Sequence, residues 1–153
     1  MTDDYVFDVS ASYVEIYNEN IKDLLNPNKR DYLDLRDDPI KGLVLSGVTK
    51  KEVHNIKDLM RLLVTGNSRR TTESTKANSE SSRSHAILQV TVQKKPVTAN
   101  YKVQQYTGKL SMIDLAGSER GTVTENRGLR LREGAKINRS LLALANCINA
   151  LGD

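Results

Sequence analysis

Two short runs, about thirty residues apart, carry residue types that could handle a nucleotide phosphate. One is Asn78-Ser79-Glu80-Ser81-Ser82-Arg83-Ser84-His85. The other is Asp114-Leu115-Ala116-Gly117-Ser118-Glu119-Arg120, which closes an apolar stretch. A carboxylate at a strand end, as Asp114 would be, can hold a water of a Mg²⁺ ion bound to phosphates. Gly117 has no side chain, so its backbone N–H can approach a terminal phosphate closely. Ser81 and Ser82 offer two hydroxyls, one suited to Mg²⁺ and one to the phosphate or the attacking water. Asn78 can orient water. Arg83 is the natural ion-pair partner of Glu119, and that pair would form only when both loops close on the phosphate. Such an Arg–carboxylate link is costly to break. Loops that order around a terminal phosphate and relax after hydrolysis are a known switching device. Each run alone also has an ordinary explanation, as a turn or a solvent-facing loop. The two together are much more specific.

The elements that must position these runs can be read from periodicity. Tyr5 to Tyr17 is rich in Tyr, Val, Phe and Ile, and its apolar phase shifts midway. That predicts a strand buried on both faces, or one with a bulge. Asn26-Pro27-Asn28 marks a turn. Tyr32 to Arg36, Leu43 to Leu45 and Val48 to Val53 predict a small antiparallel ribbon, with Gly47 between its last two strands. Asn55 is a helix cap; Ile56, Leu59, Met60 and Leu63 follow at helical spacing, and Gly66 is a natural stop. Residues 65 to 85 are dense in Ser, Thr, Asn and Arg, a composition usual in flexible loops. His85 to Gln93 alternates, with Ala86, Leu88, Val90 and Val92 on one face. It pairs as a hairpin with the strand region Tyr101 to Leu115. The last stretch is helical from near Ala135, since Gly128 and Gly134 loosen what precedes it. Ile137, Leu141, Leu144, Ile148 and Leu151 line one side. At ~100° per residue, Arg132, Lys136 and Arg139 fall on nearly the opposite side.

Composition narrows the class. A chain of 153 residues, 38% hydrophobic and 27% charged, fits one globular domain. No apolar run approaches the ~18 residues of a membrane helix, and Asp3 and Asp4 precede any apolar segment after Met1, which argues against a signal peptide. Cys147 is the only cysteine, so no internal disulfide forms. That fits a reducing compartment, with Cys147 as a small helix packing residue. The net charge is +4. Between Arg120 and Arg139 six basic residues face only Glu125 and Glu133, so this segment alone accounts for it. A basic surface there is an ordinary solvated face or a contact for an acidic partner. Nucleic acid is a poor candidate, because the patch has no interleaved aromatics.

With both runs in view, the sequence resembles the kinesin motor domain. Asn78 to His85 matches that family's first switch and Asp114 to Arg120 its second. Ile137-Asn138-Arg139-Ser140-Leu141-Leu142-Ala143-Leu144 is similar to the start of its main microtubule-binding helix. Tyr13-Val14-Glu15-Ile16-Tyr17-Asn18-Glu19 and Ile21-Lys22-Asp23-Leu24-Leu25 match an earlier strand and its sequel. Myosins share a Ser-Ser-Arg core in the first switch, but carry an aromatic residue where Ser118 stands. Asn26-Pro27, Gly66-Asn67-Ser68-Arg69-Arg70-Thr71 and Asn126-Arg127-Gly128 look like the kinesin-eight class, which combines plus-end motility with effects on microtubule ends.

The resemblance implies an α/β fold over residues 1–153: a partial kinesin-type P-loop NTPase motor domain, its mixed sheet flanked by helices, truncated at both ends. It implies ATP and Mg²⁺ as cofactors in the complete motor domain. It assigns Ser82 to Mg²⁺, Asp114 to the Mg²⁺ water shell, Asn78 and Ser81 to the phosphate and lytic water, and Gly117 to the terminal phosphate. Arg83 and Glu119 form the closing salt bridge. The acidic partner becomes tubulin, met by Arg127, Arg130, Arg132, Lys136 and Arg139, with Lys50 and Lys51 as a secondary contact. No membrane or nucleic-acid partner is expected, and the place of action would be the cytoplasm and cytoskeleton.

One departure is plain. The family's phosphate-cradling loop, G-x-x-x-x-G-K-[ST], is absent. Gly108-Lys109 is the only Gly-Lys pair, and Leu110 follows it. These residues alone are therefore expected not to hydrolyse ATP, and strands without their sheet neighbours are expected to expose apolar surface. Two readings remain: part of an ATP-driven microtubule motor, or a non-enzymatic microtubule-binding module that has lost ATPase activity. The intact switch chemistry favours the first.

Overall fold

The fold is organised around one long strand. The run from Tyr5 to Tyr17 forms β1, and its two edges take up three of the six other strands described. The computed structural model describes residues 5–26, 32–40, 42–71, 83–97, 106–118 and 129–152. After β1 come β2 (Asn20–Asp23), β3 (Asp34–Asp38), β4 (Gly42–Ser46), β5 (Lys51–Glu52), α1 (Ile56–Thr71), β6 (His85–Pro96), β7 (Tyr106–Asp114) and α2 (Leu129–Gly152). The main sheet runs β2-β1-β6-β7, with β5 also on β1, and every pairing described is antiparallel.

The phase shift in β1 reflects burial and not a bulge. Its register with β6 is continuous, from Tyr5 opposite Pro96 to Ile16 opposite His85. Tyr13, Val14 and Glu15 are all buried, whereas Val6 and Phe7 are exposed. The C-terminal half of β1 is thus covered on both faces. The β1–β2 connection is a two-residue turn, Asn18-Glu19, with φ of 52° and 68°. Both residues lie in the left-handed region, as a type I′ hairpin turn requires.

The expected ribbon is smaller than the sequence suggests. β3 and β4 pair with each other in a separate two-stranded sheet. β5 instead joins β1, opposite Ser10 and Ala11, and Val53 N–H donates to the Val9 carbonyl. Asp23, the buried last residue of β2, accepts from the backbone N–H of Leu25 at 2.9 Å and of Thr49 at 2.7 Å, which pins the ribbon's return to the sheet.

Helix α1 begins as expected. Asn55 Oδ1 accepts from the Asp58 N–H, and Asp58 Oδ2 accepts from the His54 N–H in return. That is a reciprocal cap, and Asp58 also suits the positive end of the helix dipole. Gly66, however, does not end the helix, which runs on to Thr71. A Cβ at Gly66 would fall on Cδ1 and Cε1 of the Tyr13 ring. Glycine is there for close approach to β1. The inward face is Leu59, Leu62 and Leu63, which pack on the core of Ala11, Tyr13, Leu24, Leu25, Ala86 and Leu88. Ile56, Met60 and Val64 lie outward. The expected stripe of Ile56, Leu59, Met60 and Leu63 therefore divides between two faces.

Helix α2 starts at Leu129, six residues before Ala135, so Gly134 is tolerated inside it. Its N-terminal half meets the opposite face of the sheet, where Ile137 is buried. Ile148 and Leu151 are exposed, and so is Cys147, which is not the packing residue its type suggested. All nine residues of β7 are exposed, Leu110 and Ile113 among them. Uncovered apolar strand surface of this kind agrees with the sequence expectation. No described helix is long and apolar enough to cross a membrane.

Replacing Gly66 by Ala isolates the close approach. In an open helix interior Gly→Ala gains up to ~1 kcal/mol, but overpacking against the Tyr13 ring is expected to cost about 1–3 kcal/mol. Urea denaturation of the full-length protein gives the sign, and a stabilised Gly66→Ala would refute the contact.

Candidate functional site

The described parts of the two runs, residues 83–85 and 114–118, lie at one end of the β1–β6–β7 sheet. Glu15, Ala86 and Asp114 stand in one cross-strand row, on β1, β6 and β7. Arg70, in the last turn of α1, lies over this row. Ala86 is small and leaves room for it. The Arg70 side chain is 7% exposed. A buried guanidinium keeps its charge and must find acceptors. It donates to Asp114 Oδ2 at 2.8 Å, to Ser84 Oγ at 3.1 Å and to the Ser84 carbonyl at 2.9 Å. Glu15 Oε1 lies 3.5 Å from Arg70 Nε, an ion pair without a hydrogen bond, and Oε1 accepts none among the described residues.

The two carboxylates differ in exposure. Glu15's side chain is 8% exposed and Asp114's is 70% exposed. Glu15 therefore serves the charge balance of the interior. Asp114 faces solvent while one of its oxygens is held by Arg70. It ends β7, and Leu115 to Ser118 follow as a loop, with Ala116 buried and Gly117 exposed.

Alternation along β6 sends the next residue to the other face. Ser84 bonds Arg70 on the α1 side, and His85 turns toward α2. His85 Nδ1 accepts from the Ala116 N–H at 3.1 Å, and Nε2 lies 3.0 Å from Ser140 Oγ. Ser140 Oγ in turn donates to the Ile137 carbonyl at 2.8 Å. Burial, then the nearby Arg70 charge, hold the His85 imidazole below its ordinary value, while Glu19 and Asp114 oppose this more weakly. Arg83 lines the same small cleft, with Asn18, Glu19, Lys136, Ile137 and Ser140.

Of the residues singled out by sequence, Arg83, Asp114 and Gly117 therefore lie at this end of the sheet. Asn78, Ser81, Ser82, Glu119 and Arg127 lie outside the described residues, and with them the Arg83–Glu119 bridge. Arg130 stands in the first turn of α2. Arg132 and Arg139 are exposed on α2, and Lys50 and Lys51 are exposed at β5. Lys136 is exposed too, but its Nζ donates to Asn18 Oδ1 at 2.5 Å, so it ties α2 to the β1–β2 turn. Sequence reasoning missed Arg70, Glu15, Ser84, His85 and Ser140. A signal for Arg70 was present. Leu59, Leu63, Gly66 and Arg70 recur at spacings of four, three and four, which puts an arginine on the buried stripe of α1.

Removing one partner from a buried ion pair strands the other charge. Arg70→Met is expected to destabilise the full-length protein by about 3–5 kcal/mol. Arg70→Met combined with Glu15→Gln is expected to recover a substantial part. Chemical denaturation checks both, and a loss under ~1 kcal/mol for Arg70→Met would show that the pair is not a structural anchor.

Comparison with known proteins agrees with this geometry. The model of the kinesin motor domain matches residues 1–153. The chain is 56% identical over 152 residues to the kinesin-like protein KIF19 of Xenopus laevis, covering 99% of this chain and 15% of that protein. It is 53% identical over 146 residues to KIN-8B of Arabidopsis thaliana, covering 95% and 18%. It is 48% identical over 154 residues to KIP3 of Saccharomyces cerevisiae, covering 99% and 19%. The similarity to KIN-8B supports the kinesin-eight resemblance. A solved fast kinesin superimposes with a TM-score of 0.79 at 36% identity, covering 99% of this chain and 41% of that one. A KIF14 dimer solved with AMP-PNP on a microtubule gives 0.75 at 32% identity, covering 94% and 41%. The chain thus spans under a fifth of the curated relatives named here and about two fifths of the solved motors. With the kinesin motor domain model matching residues 1–153 and relatives 48–56% identical across nearly the whole chain, this chain belongs to the kinesin motor domain family.

Proposed function

We propose that these residues are the phosphate-sensing and track-binding part of an ATP-driven microtubule motor. The observation that carries this reading is the shared location of the parts. Arg83 of the first switch, the Asp114–Gly117 segment of the second and the N-terminal half of α2 all gather at one end of the sheet.

The residues present fit Mg²⁺ held mainly by phosphates and water. No cluster of three or more acidic, His or Cys ligands exists among the described residues. Mg²⁺ dehydrates reluctantly and needs only one or two protein oxygens beside the phosphates. Asp114, exposed at its strand end with one oxygen held by Arg70, suits a role through water. Ser82 would supply the direct hydroxyl. The bound ion would neutralise phosphate charge. The chain's own groups then act by position. The Gly117 N–H contacts the terminal phosphate, Asn78 and Ser81 orient the phosphate and water, and Arg83 closes on Glu119. The basic residues of α2, with Lys50 and Lys51, face the acidic track. Tubulin as partner and the cytoskeleton as location follow from the same reading.

Two experiments test it. A complete motor polypeptide containing this segment is expected to hydrolyse ATP faster with microtubules, and residues 1–153 alone to show no turnover. Arg83→Ala and Glu119→Ala are each expected to lower stimulated turnover at least about a hundredfold while microtubule binding persists. A complete polypeptide that binds microtubules without turnover would establish the non-enzymatic module instead. For the track contact, Arg132→Ala with Arg139→Ala is expected to weaken microtubule binding several-fold and to flatten its salt dependence. Co-sedimentation over a salt series measures both; an unchanged salt slope would remove these two arginines from the interface.

A further inference from the structure

The two bonds of the His85 ring join segments that sequence distance keeps apart. Ala116 sits between Asp114 and Gly117, in the loop assigned to the phosphate. Ser140 sits on α2, one turn past Lys136 and beside the buried Ile137. His85 lies between them as the first residue of β6.

We propose that His85 is a positioning residue that couples the loop after β7 to helix α2, so that loop and helix move as one unit. This deepens the motor reading above and rests on it.

The hydrogen-bond directions leave little freedom. The Ala116 N–H can only donate, so Nδ1 must be the bare nitrogen. The ring proton then sits on Nε2 and points to Ser140 Oγ. The Ser140 hydroxyl, having accepted, donates to the Ile137 carbonyl. Backbone amide, imidazole, hydroxyl and backbone carbonyl thus form a chain with one consistent direction. Its base is fixed. Ser84, just before His85, is gripped by Arg70, and Ala86, just after it, is buried. A shift of Ala116 must therefore break its bond to the ring or turn the ring, and turning the ring takes Nε2 away from Ser140. The neutral ring is required, because a proton on Nδ1 would face the Ala116 N–H. The surroundings favour neutrality: burial disfavours a charged ring and Arg70 from α1 repels it. Glu19 in the β1–β2 turn and Asp114 on β7 act the other way, and Arg83 and Lys136 line the same cleft.

A histidine that merely fills space would affect stability alone. A coupling residue must affect loop and helix together, and its partners must act as a unit. The test uses a complete motor polypeptide with His85→Ala, Ser140→Ala and the double variant. Each single change is expected to lower microtubule-stimulated kcat about tenfold, with the half-saturating microtubule concentration changed less than threefold. The double variant is expected to be no worse than the poorer single one. His85→Asn retains an acceptor near Nδ1 and is expected to match Ser140→Ala. Amide hydrogen exchange supplies a readout independent of turnover. In both His85→Ala and Ser140→Ala, exchange is expected to rise in residues 115–118 and in the N-terminal half of α2.

Single-variant losses that multiply in the double, or exchange in Ser140→Ala that rises in the helix alone, would overturn the coupling. A wild-type polypeptide without microtubule stimulation would overturn the motor reading instead, and the exchange data would still decide whether loop and helix are joined.

Discussion

The buried charge of Arg70 is the constraint on which the rest depends. A guanidinium cannot shed its proton at physiological pH, so burying it obliges the fold to supply acceptors. Three elements answer. Ser84 from the segment entering β6 and Asp114 from the end of β7 accept its hydrogen bonds, and Glu15 from β1 balances its charge without accepting one among the described residues. This demand fixes the rotation of α1 about its axis and its distance from the sheet. Gly66, one turn earlier, permits that distance by leaving room for the Tyr13 ring. Tyr13 adds a hydrogen bond from its hydroxyl to Asn67 at 2.7 Å. Core packing and the placement of Asp114 are therefore the same problem, solved by one helix.

The sheet then divides labour between its faces. Ser84 and His85 are neighbours, yet alternation sends one toward α1 and the other toward α2. The chain thus enters β6 gripped from both sides, at Ser84 and at His85. On the α1 side the grip is a pair of buried hydrogen bonds from the charged Arg70 to Ser84. On the α2 side it consists of two neutral hydrogen bonds through one ring. Lys136 adds a second tie from α2, to a β1–β2 turn held by two left-handed residues.

Much of this was legible in the sequence, and the failures share a cause. The strands β1 and β6, the β6–β7 hairpin and the Asn55 cap follow from local patterns, and local patterns were sufficient. Gly66 reads as a stop because glycine suits the position just past a helix end, but its close approach to Tyr13 places it inside α1. Stopping the helix there hid Arg70, four residues later. Its neighbours in a polar, low-complexity run then read as loop. Glu15 and Ser84 were invisible for a related reason, since each matters only through a partner more than a dozen residues away. His85 was part of the recognised run, yet its role depends on Ala116 and Ser140, which no spacing rule connects. Cys147, Ile148 and Leu151 failed differently. Their types suit a packed helix face, but no described element covers them.

The magnitudes separate the two grips. Breaking a buried ion pair such as Arg70–Glu15 costs about 3–5 kcal/mol, a large share of a domain's total stability. A neutral hydrogen bond contributes about 0.5–1.5 kcal/mol net. A typical allosteric coupling energy is about 1–3 kcal/mol. A ligand event of that size is too small to dislodge the Arg70 anchor, yet it matches the two bonds of His85 together. The α1 face of the sheet is therefore built to stay, and the α2 face to change. Whatever alters the loop at Ala116 and Gly117 meets a fixed support on one side and a breakable one on the other. Motion is then directed toward α2 and not dispersed into the core.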